Sequence, residues 1–259
     1  MDQLFHPWTR AVDTPRVRNV SPSAPLRWLA AGASDLRQAA PVSLAQGVGF
    51  AAFGFVATAL AWDRPHLVTV LASGFFLVAP VLAMGFYETS RRMSLGQAPG
   101  YRDAGRAWTR NPESIGLFGL VLALMIIGWE RMSAILFGLF FGGSLPDAQS
   151  LLDEVLFSGE HMGFLAAYVG VGALFAAVAF ALAVVTVPML IDRNVDVVTA
   201  MMTSMKAVAA NPAVMLLWAA LIVALVALGI ATLFAGLVIT LPVVAHASWH
   251  AYRELVEQG

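Results

Sequence analysis

The apolar residues of this chain come in long runs, and each run ends at a charge, a proline or a polar segment. A helix needs about 20 mostly apolar residues to cross a bilayer, and several of the runs reach that length. Only 12% of the residues are charged, whereas a soluble domain carries roughly a quarter. The sequence therefore predicts an integral membrane protein built from helices.

Composition excludes several other classes of protein. Disorder needs low hydrophobicity and high net charge, but 59% of the residues are hydrophobic and the net charge is -1. That net charge also provides no basic excess for binding nucleic acid. Because the chain has no cysteine, disulfide scaffolds, cysteine-ligated zinc, iron–sulfur clusters and thiol nucleophiles are excluded.

The apolar runs predict an all-α polytopic membrane helix bundle. A polar N-terminal segment, residues 1–24, precedes a membrane domain, residues 25–255. The six predicted spans cover residues 43–62, 67–87, 114–131, 163–190, 213–229 and 233–252. The last two come from one apolar run, because a single helix from Ala213 to Tyr252 would be about 60 Å long, twice the hydrocarbon thickness.

A second apolar run follows the predicted third span in the sequence. Glu130 and Arg131 lie one membrane thickness after the start of that span, and we expect them to mark its outer end. Residues 133–141 are too short to span again, so they either extend the helix or lie on the membrane surface.

Two amphipathic segments, residues 25–40 and 194–211, are predicted as helices at the membrane interface. Another short helix is expected around residues 150–156. The apolar faces of the two interfacial helices carry Leu26, Leu29, Ala33 and Leu36 in the first and Val198, Met201, Met205 and Val208 in the second.

The basic residues predict an orientation in the membrane. In a six-span arrangement, 13 of the 15 basic residues lie on the side of the two termini, and only Arg64 and Arg131 lie on the other side. Because short loops rich in Lys and Arg stay inside, we expect both termini to be cytoplasmic.

Prolines recur at matching places and predict three repeats of an interfacial helix followed by a helical hairpin. Pro41, Pro112 and Pro212 open outgoing spans, where the missing N–H costs no hydrogen bond. The returning spans carry a proline toward their cytoplasmic ends, where kinks would shape a common surface. These are Pro80, Pro188 and Pro242. The alternative is that proline is simply frequent in membrane helices.

Two histidines on the predicted sixth span are candidate metal ligands. His246 and His250 are four residues apart, which puts both imidazoles on one helical face. Further ligands would come from Glu88 and Asp192, at the ends of other returning spans. The alternative is an aromatic belt at the membrane interface formed by His246, Trp249, His250 and Tyr252.

Glu88 and Asp192 also have a second interpretation. Intramembrane carboxylates are costly and suggest a function such as proton relay, but both residues lie beside arginines and are expected to form ion pairs at the headgroup level. The interiors of the spans otherwise lack charge, which argues against a proton-coupled transporter.

Small residues form stripes at helical spacing. The fourth span carries Ala166, Gly170, Ala173, Ala177 and Ala181. Such stripes allow helices to approach closely, either inside the bundle or at an interface with another membrane subunit.

Three segments resemble a known family. The runs PLRWLAAGASDLRQAAPVSLAQGVGF, FFLVAPVLAMGFYETSRRMSLGQ and LPVVAHASWHAYRELV are similar to an uncharacterised bacterial family of multi-pass integral membrane proteins. Some members are labelled putative cytochrome c oxidase subunits. A catalytic subunit of that enzyme ligates two haems and copper through a set of histidines, whereas only His246 and His250 stand on a span at helical spacing here. We therefore expect no haem–copper catalysis.

The sequence favours a non-catalytic accessory, assembly or interaction subunit of a membrane complex, which the resemblance suggests is respiratory. The alternative is a transporter or channel-like protein for a small, weakly polar solute. We expect no cofactor and no nucleic acid. The expected partners are the lipid bilayer, other membrane subunits or further copies of the chain, in the inner membrane that a bacterial family implies.

Overall fold

The structure is a computed structural model and describes residues 14–61, 82–142 and 161–258. Within these ranges the fold is all-helical, as predicted, with one isolated antiparallel bridge between Val17 and Val256. The α-helices in chain order are α1 (Ala24–Gln38), α2 (Ala40–Ala61), α3 (Met84–Ser94), α4 (Tyr101–Arg106), α5 (Pro112–Phe141), α6 (Met162–Ala183), α7 (Thr186–Asp192), α8 (Val197–Ala210), α9 (Pro212–Ala231) and α10 (Leu237–Leu255). A 3₁₀ turn, Ala107–Thr109, follows α4.

Four helical segments of the described chain are long and apolar enough to cross a membrane. They are Ala40–Leu60, Pro112–Phe141, Met162–Asp192 and Pro212–Ala231. Helix α10 occupies the place of the predicted sixth span but is not among these four. The predicted second span lies mostly outside the described residues, as do Pro80 and the helix expected around residues 150–156. Six spans and a threefold repeat stay predictions.

Asparagine and proline start two of the long helices. The Asn111 side chain accepts a hydrogen bond from the Ser114 amide, and Pro112 is the first residue of α5. Pro212 likewise opens α9, directly after Asn211. Because the first helical amide has no partner inside the helix, proline loses nothing at this position.

The last apolar run forms two helices. Helix α9 ends at Ala231 and α10 begins at Leu237. In the turn between them, Leu233 and Phe234 adopt positive φ angles of 52° and 68°. The Phe234 ring lies so close to Gly54 that a Cβ there would approach it to 2.5 Å.

Helix α5 continues past the predicted end of the third span. It runs unbroken through Glu130 and Arg131 to Phe141, so extension of the helix is the right one of the two alternatives for residues 133–141. Gly142, at φ 62°, ends the helix in the left-handed conformation. Thirty residues make a helix of about 45 Å, longer than the roughly 30 Å hydrocarbon layer.

The predicted fourth span is broken near its end. Helix α6 stops at Ala183 and α7 begins at Thr186, two residues before Pro188. Proline has no amide hydrogen to bond the carbonyl one turn earlier, which favours a break there. The Val185 amide bonds instead to the Ser204 hydroxyl of α8 at 3.2 Å.

Helix α10 is the central helix of the described fold. Helices α1, α2, α3 and α9 all pack against it, and its side chains from Val244 to Trp249 are buried. Two glycines permit the close approach. A Cβ at Gly32 of α1 would lie 2.5 Å from the Val243 carbonyl oxygen, and one at Gly47 of α2 would lie 2.5 Å from that of Val238.

The buried core is concentrated at one end of the long helices. It includes α7, most of α10 and the first turns of α5 and α9. The four membrane-spanning candidates are mostly uncovered, with between 17% and 39% of their most apolar windows buried. A second small cluster, around Leu136 and Phe164, joins the other end of α5 to the start of α6.

Both predicted interfacial segments are helical, as α1 and α8. On α1, Trp28, Gly32 and Asp35 face the interior, whereas Leu26 is exposed. On α8, the interior face is small and hydroxylated, and includes Thr203. Part of the apolar face of each helix is thus exposed, as is typical of helices that lie against a membrane.

The glycine contacts predict a position-specific effect of an added methyl group. Gly47→Ala should lower the free energy of unfolding by about 1–3 kcal/mol, because the new Cβ overlaps the α10 backbone. The matched control is Gly49→Ala on the same helix, where no other described part of the chain lies within 4 Å of the Cβ. It should be neutral or slightly stabilising, since alanine favours helix. Thermal unfolding in detergent measures both, and equal effects would contradict the close contact.

Candidate functional site

A buried hydrogen-bond network joins four helices at the packed end of the fold. It consists of Asp35 on α1, Ser43 on α2, Ser90 on α3, and His246 and His250 on α10. Ser43 and His246 are completely buried, and Ser90 and Asp35 nearly so. Only His250 reaches the surface, with 32% of its side chain exposed.

The two ring nitrogens of His246 bind hydroxyls on opposite sides. Nε2 lies 2.9 Å from Ser43 Oγ, and Nδ1 lies 2.7 Å from Ser90 Oγ. Ser90 donates its one proton to Asp35 Oδ2 at 2.6 Å. It must therefore accept from His246, which places the imidazole proton on Nδ1. In a neutral ring, Nε2 is then free to accept the proton of Ser43.

Asp35 receives a second hydrogen bond from His250. His250 Nε2 lies 2.9 Å from the same Oδ2 atom that accepts from Ser90. Burial alone would raise the pKa of the Asp35 carboxyl, but the bonds from His250 and Ser90 outweigh burial and hold the pKa below its ordinary value. The stability that this carboxylate contributes is complete above the ordinary pKa of Asp and is lost as the pH falls through the lowered value.

The surroundings of His246 are aromatic and apolar. The Phe86 ring packs edge-on against the imidazole, with centroids 5.6 Å apart. Trp249 and Tyr252 of the same helix are buried as well. His246, Trp249 and Tyr252 therefore pack inside the protein and do not line its outer surface as the alternative of an interfacial belt expected; of its four rings only that of His250 is partly exposed.

Glu88 forms a separate ion cluster close in sequence to Ser90. Its carboxylate is buried and accepts two hydrogen bonds from Arg91, at 2.8 and 3.0 Å. Arg110, just before α5, donates a third at 2.8 Å. These bonds tie α3 to the start of α5 through a fully paired carboxylate.

Asp192 is held at the end of α7 by α10. It accepts the Tyr252 hydroxyl proton at 2.7 Å, and Arg193 donates to the same phenolic oxygen at 2.9 Å. The direct separation of Arg193 and Asp192 is 3.9 Å, so their ion pair is the weaker contact.

The carboxylate beside the two histidines is that of Asp35. Glu88 and Asp192, which the sequence suggested as further ligands, lie elsewhere. No group of three or more His, Cys, Asp or Glu able to hold a metal ion occurs in the described part of the chain. Metal binding by His246 and His250 stays a prediction for which these residues supply no full ligand set. Of the two candidate prolines that are described, Pro242 is buried inside α10 and Pro188 follows the break before α7.

Sequence reasoning found the histidines but missed Asp35, Ser43 and Ser90. One available signal was the spacing of Trp28, Gly32 and Asp35, which share a face of α1. Ser43 and Ser90 gave no comparable signal, because single hydroxyl residues are common in membrane helices.

Loss of the Ser90 hydroxyl should destabilise the protein, since it removes the partner of His246 Nδ1 and leaves Asp35 with His250 as its one remaining side-chain donor in the network. Ser90→Ala is expected to lower the free energy of unfolding by about 1–3 kcal/mol. The control is Ser94→Ala on the same helix, whose exposed hydroxyl bonds only to the Arg91 carbonyl; it should change stability by less than about 0.5 kcal/mol. Denaturant titration in micelles measures both, and a harmless Ser90→Ala would contradict the network.

Comparison with known proteins identifies one similar family. The family described as "Predicted integral membrane protein (DUF2189)" matches residues 67–192. No curated protein matches the chain, and no solved structure does. The resemblance to an uncharacterised family of membrane proteins is thereby confirmed, and the chain is an integral membrane protein similar to that family across the α3–α7 region.

Proposed function

We propose that the protein is an accessory, assembly or interaction subunit of a membrane complex, and that it contacts another membrane-embedded polypeptide through α6. The observation that carries this proposal is the exposure of a small-residue face on that helix. Within α6 only Phe164 is buried. Ala166, Gly170, Ala173 and Ala177 are exposed along one side.

The spacing of these residues is suited to helix–helix contact. Positions separated by four, three and four residues lie within about 60° of one another on a helix. No atom of the described residues lies within 4 Å of a Cβ built on Gly170. In a bilayer, helices associate through close packing, and small residues allow the backbones to approach.

The partner of α6 inside the chain leaves that face open. Trp129 of α5 packs against the rings of Tyr168 and Phe175, with centroids 5.0 and 5.9 Å apart. Phe137 and Phe164 join the two helices further along, 4.9 Å apart. The α5–α6 pair is thus held together by its aromatic side chains.

Gly47 on α2 and Gly170 on α6 differ in what they contact. Gly47 on α2 packs against the α10 backbone, so that position serves the bundle itself. Gly170 on α6 has no such neighbour in the described chain. This contrast supports an external partner for α6.

Contacts between the chain ends support a common location for both termini. The Arg18 amide donates to the Leu255 carbonyl at 2.8 Å, and Arg27 pairs with Glu254 at 2.6 Å. The N-terminal segment and the end of α10 therefore share one end of the bundle. With the excess of basic residues there, the proposal includes a bacterial inner-membrane location and cytoplasmic termini.

A transporter for a small, weakly polar solute is the second candidate. The interruption between α6 and α7 and the buried Pro242 in α10 favour it. Interrupted helices line the substrate sites of many secondary transporters, because their free backbone groups can bind the solute.

Gly170→Leu should release the partner, because the larger side chain prevents close approach of a second helix. After mild solubilisation, the wild type is expected to elute with a second polypeptide in fixed ratio, and Gly170→Leu without it. Val169→Leu is the control, since that exposed position already carries a large side chain. Size-exclusion chromatography with mass spectrometry measures the ratio.

Elution of the wild type as a lone monomer would contradict the accessory role and favour the transporter. Enrichment of the same chain alone would show self-association and also contradict it.

A further inference from the structure

Residues 101–110 form a short connecting segment before α5. Ala104 and Ala107 are buried and hold the segment against the rest of the fold. Two ion pairs fasten it to α3, between Arg92 and Asp103 at 3.3 Å and between Arg110 and Glu88 at 2.8 Å. The segment is therefore a fixed part of the surface.

The outward side of this segment is aromatic and basic. Tyr101 is 60% exposed and Trp108 is 41% exposed. Arg102 and Arg106, one helical turn apart, are exposed too. Unlike Arg92 and Arg110, their guanidinium groups have no hydrogen-bond or ion-pair partner within the described ranges.

The segment lies where a span enters the bilayer. Asn111 follows it directly, caps α5 and donates from Nδ2 to the Val195 carbonyl at 2.7 Å. The long apolar helix begins at the next residue, Pro112. Tyrosine and tryptophan prefer the headgroup level of a membrane, and anionic headgroups attract unpaired arginines there.

We propose that Arg102 and Arg106, flanked by Tyr101 and Trp108, form a binding surface for the headgroups of anionic phospholipids in the surrounding bilayer. The positive guanidinium groups attract the phosphate oxygens and donate hydrogen bonds to them. The two aromatic rings lie beside the upper acyl chains. This inference requires that α5 crosses the membrane, and it is independent of the proposed partner of α6.

The test is lipid retention by the purified full-length protein. Micelles containing equal amounts of dioleoylphosphatidylglycerol and dioleoylphosphatidylcholine are used, and native mass spectrometry measures the bound lipids. The wild type should retain phosphatidylglycerol preferentially. Arg102→Gln with Arg106→Gln should reduce that preference by about 5-fold per arginine, the equivalent of about 1 kcal/mol each.

Two control variants isolate the effect of these charges. Arg131→Gln removes an exposed arginine at the far part of α5 and should leave the preference unchanged. Arg102→Lys with Arg106→Lys keeps the positive charge and should retain most of the preference.

Three results would overturn the proposal. They are an unchanged preference in the double glutamine variant, an equal loss in Arg131→Gln, and displacement of the lipid by excess inorganic phosphate. The last result would identify a site for free phosphate instead of a lipid surface.

Discussion

The pairing of His246 with two serines and, through Ser90, with Asp35 is the interaction on which the described fold most depends. When a buried polar group loses its hydrogen-bond partner, the free energy of unfolding falls by about 1–3 kcal/mol. Groups in one network depend on one another in this way. Each member comes from a helix that packs on α10 or from α10 itself. The network therefore fixes α1, α2 and α3 relative to α10.

This constraint explains the uneven packing of the molecule. Close contacts at Gly32 and Gly47 bring α1 and α2 onto the α10 backbone at the end where the network lies. Away from this end the long helices are mostly uncovered, and α5 and α6 pack chiefly on each other. Polar hydrogen bonds thus hold one end of the protein together, while the sides of its apolar helices are largely uncovered within the described chain.

Much of the architecture could be predicted from the sequence. The lengths of the apolar runs predicted an all-helical fold. They also predicted that residues 213–252 form two helices, because a helix has a fixed rise per residue. Pro112 and Pro212 marked helix starts, because proline loses no hydrogen bond at the first helical position. The sequence left open whether α5 continues past Glu130 and Arg131; the helix does continue, because both residue types have good helix propensity.

The network could not be predicted in the same way. Its bonds join residues as far apart in sequence as Ser43 and His246, and only tertiary packing determines such partners. The histidine spacing indicated a functional pair, but the carboxylate beside it is Asp35 from a helix that had been assigned only an apolar face. Glu88 and Asp192, the carboxylates expected there, are engaged by Arg91, Arg110 and Tyr252.

The protonation of His246 tests the network most directly. In protein labelled with ¹⁵N at histidine, the nitrogen chemical shifts of this ring distinguish the two neutral tautomers and the imidazolium ion. At neutral pH we expect a neutral ring, because the side chain is completely buried. Its proton should be on Nδ1, because Ser90 gives its only proton to Asp35 and must accept from His246. A proton on Nε2 alone, or protons on both nitrogens, would contradict the arrangement of donors and acceptors on which this account rests.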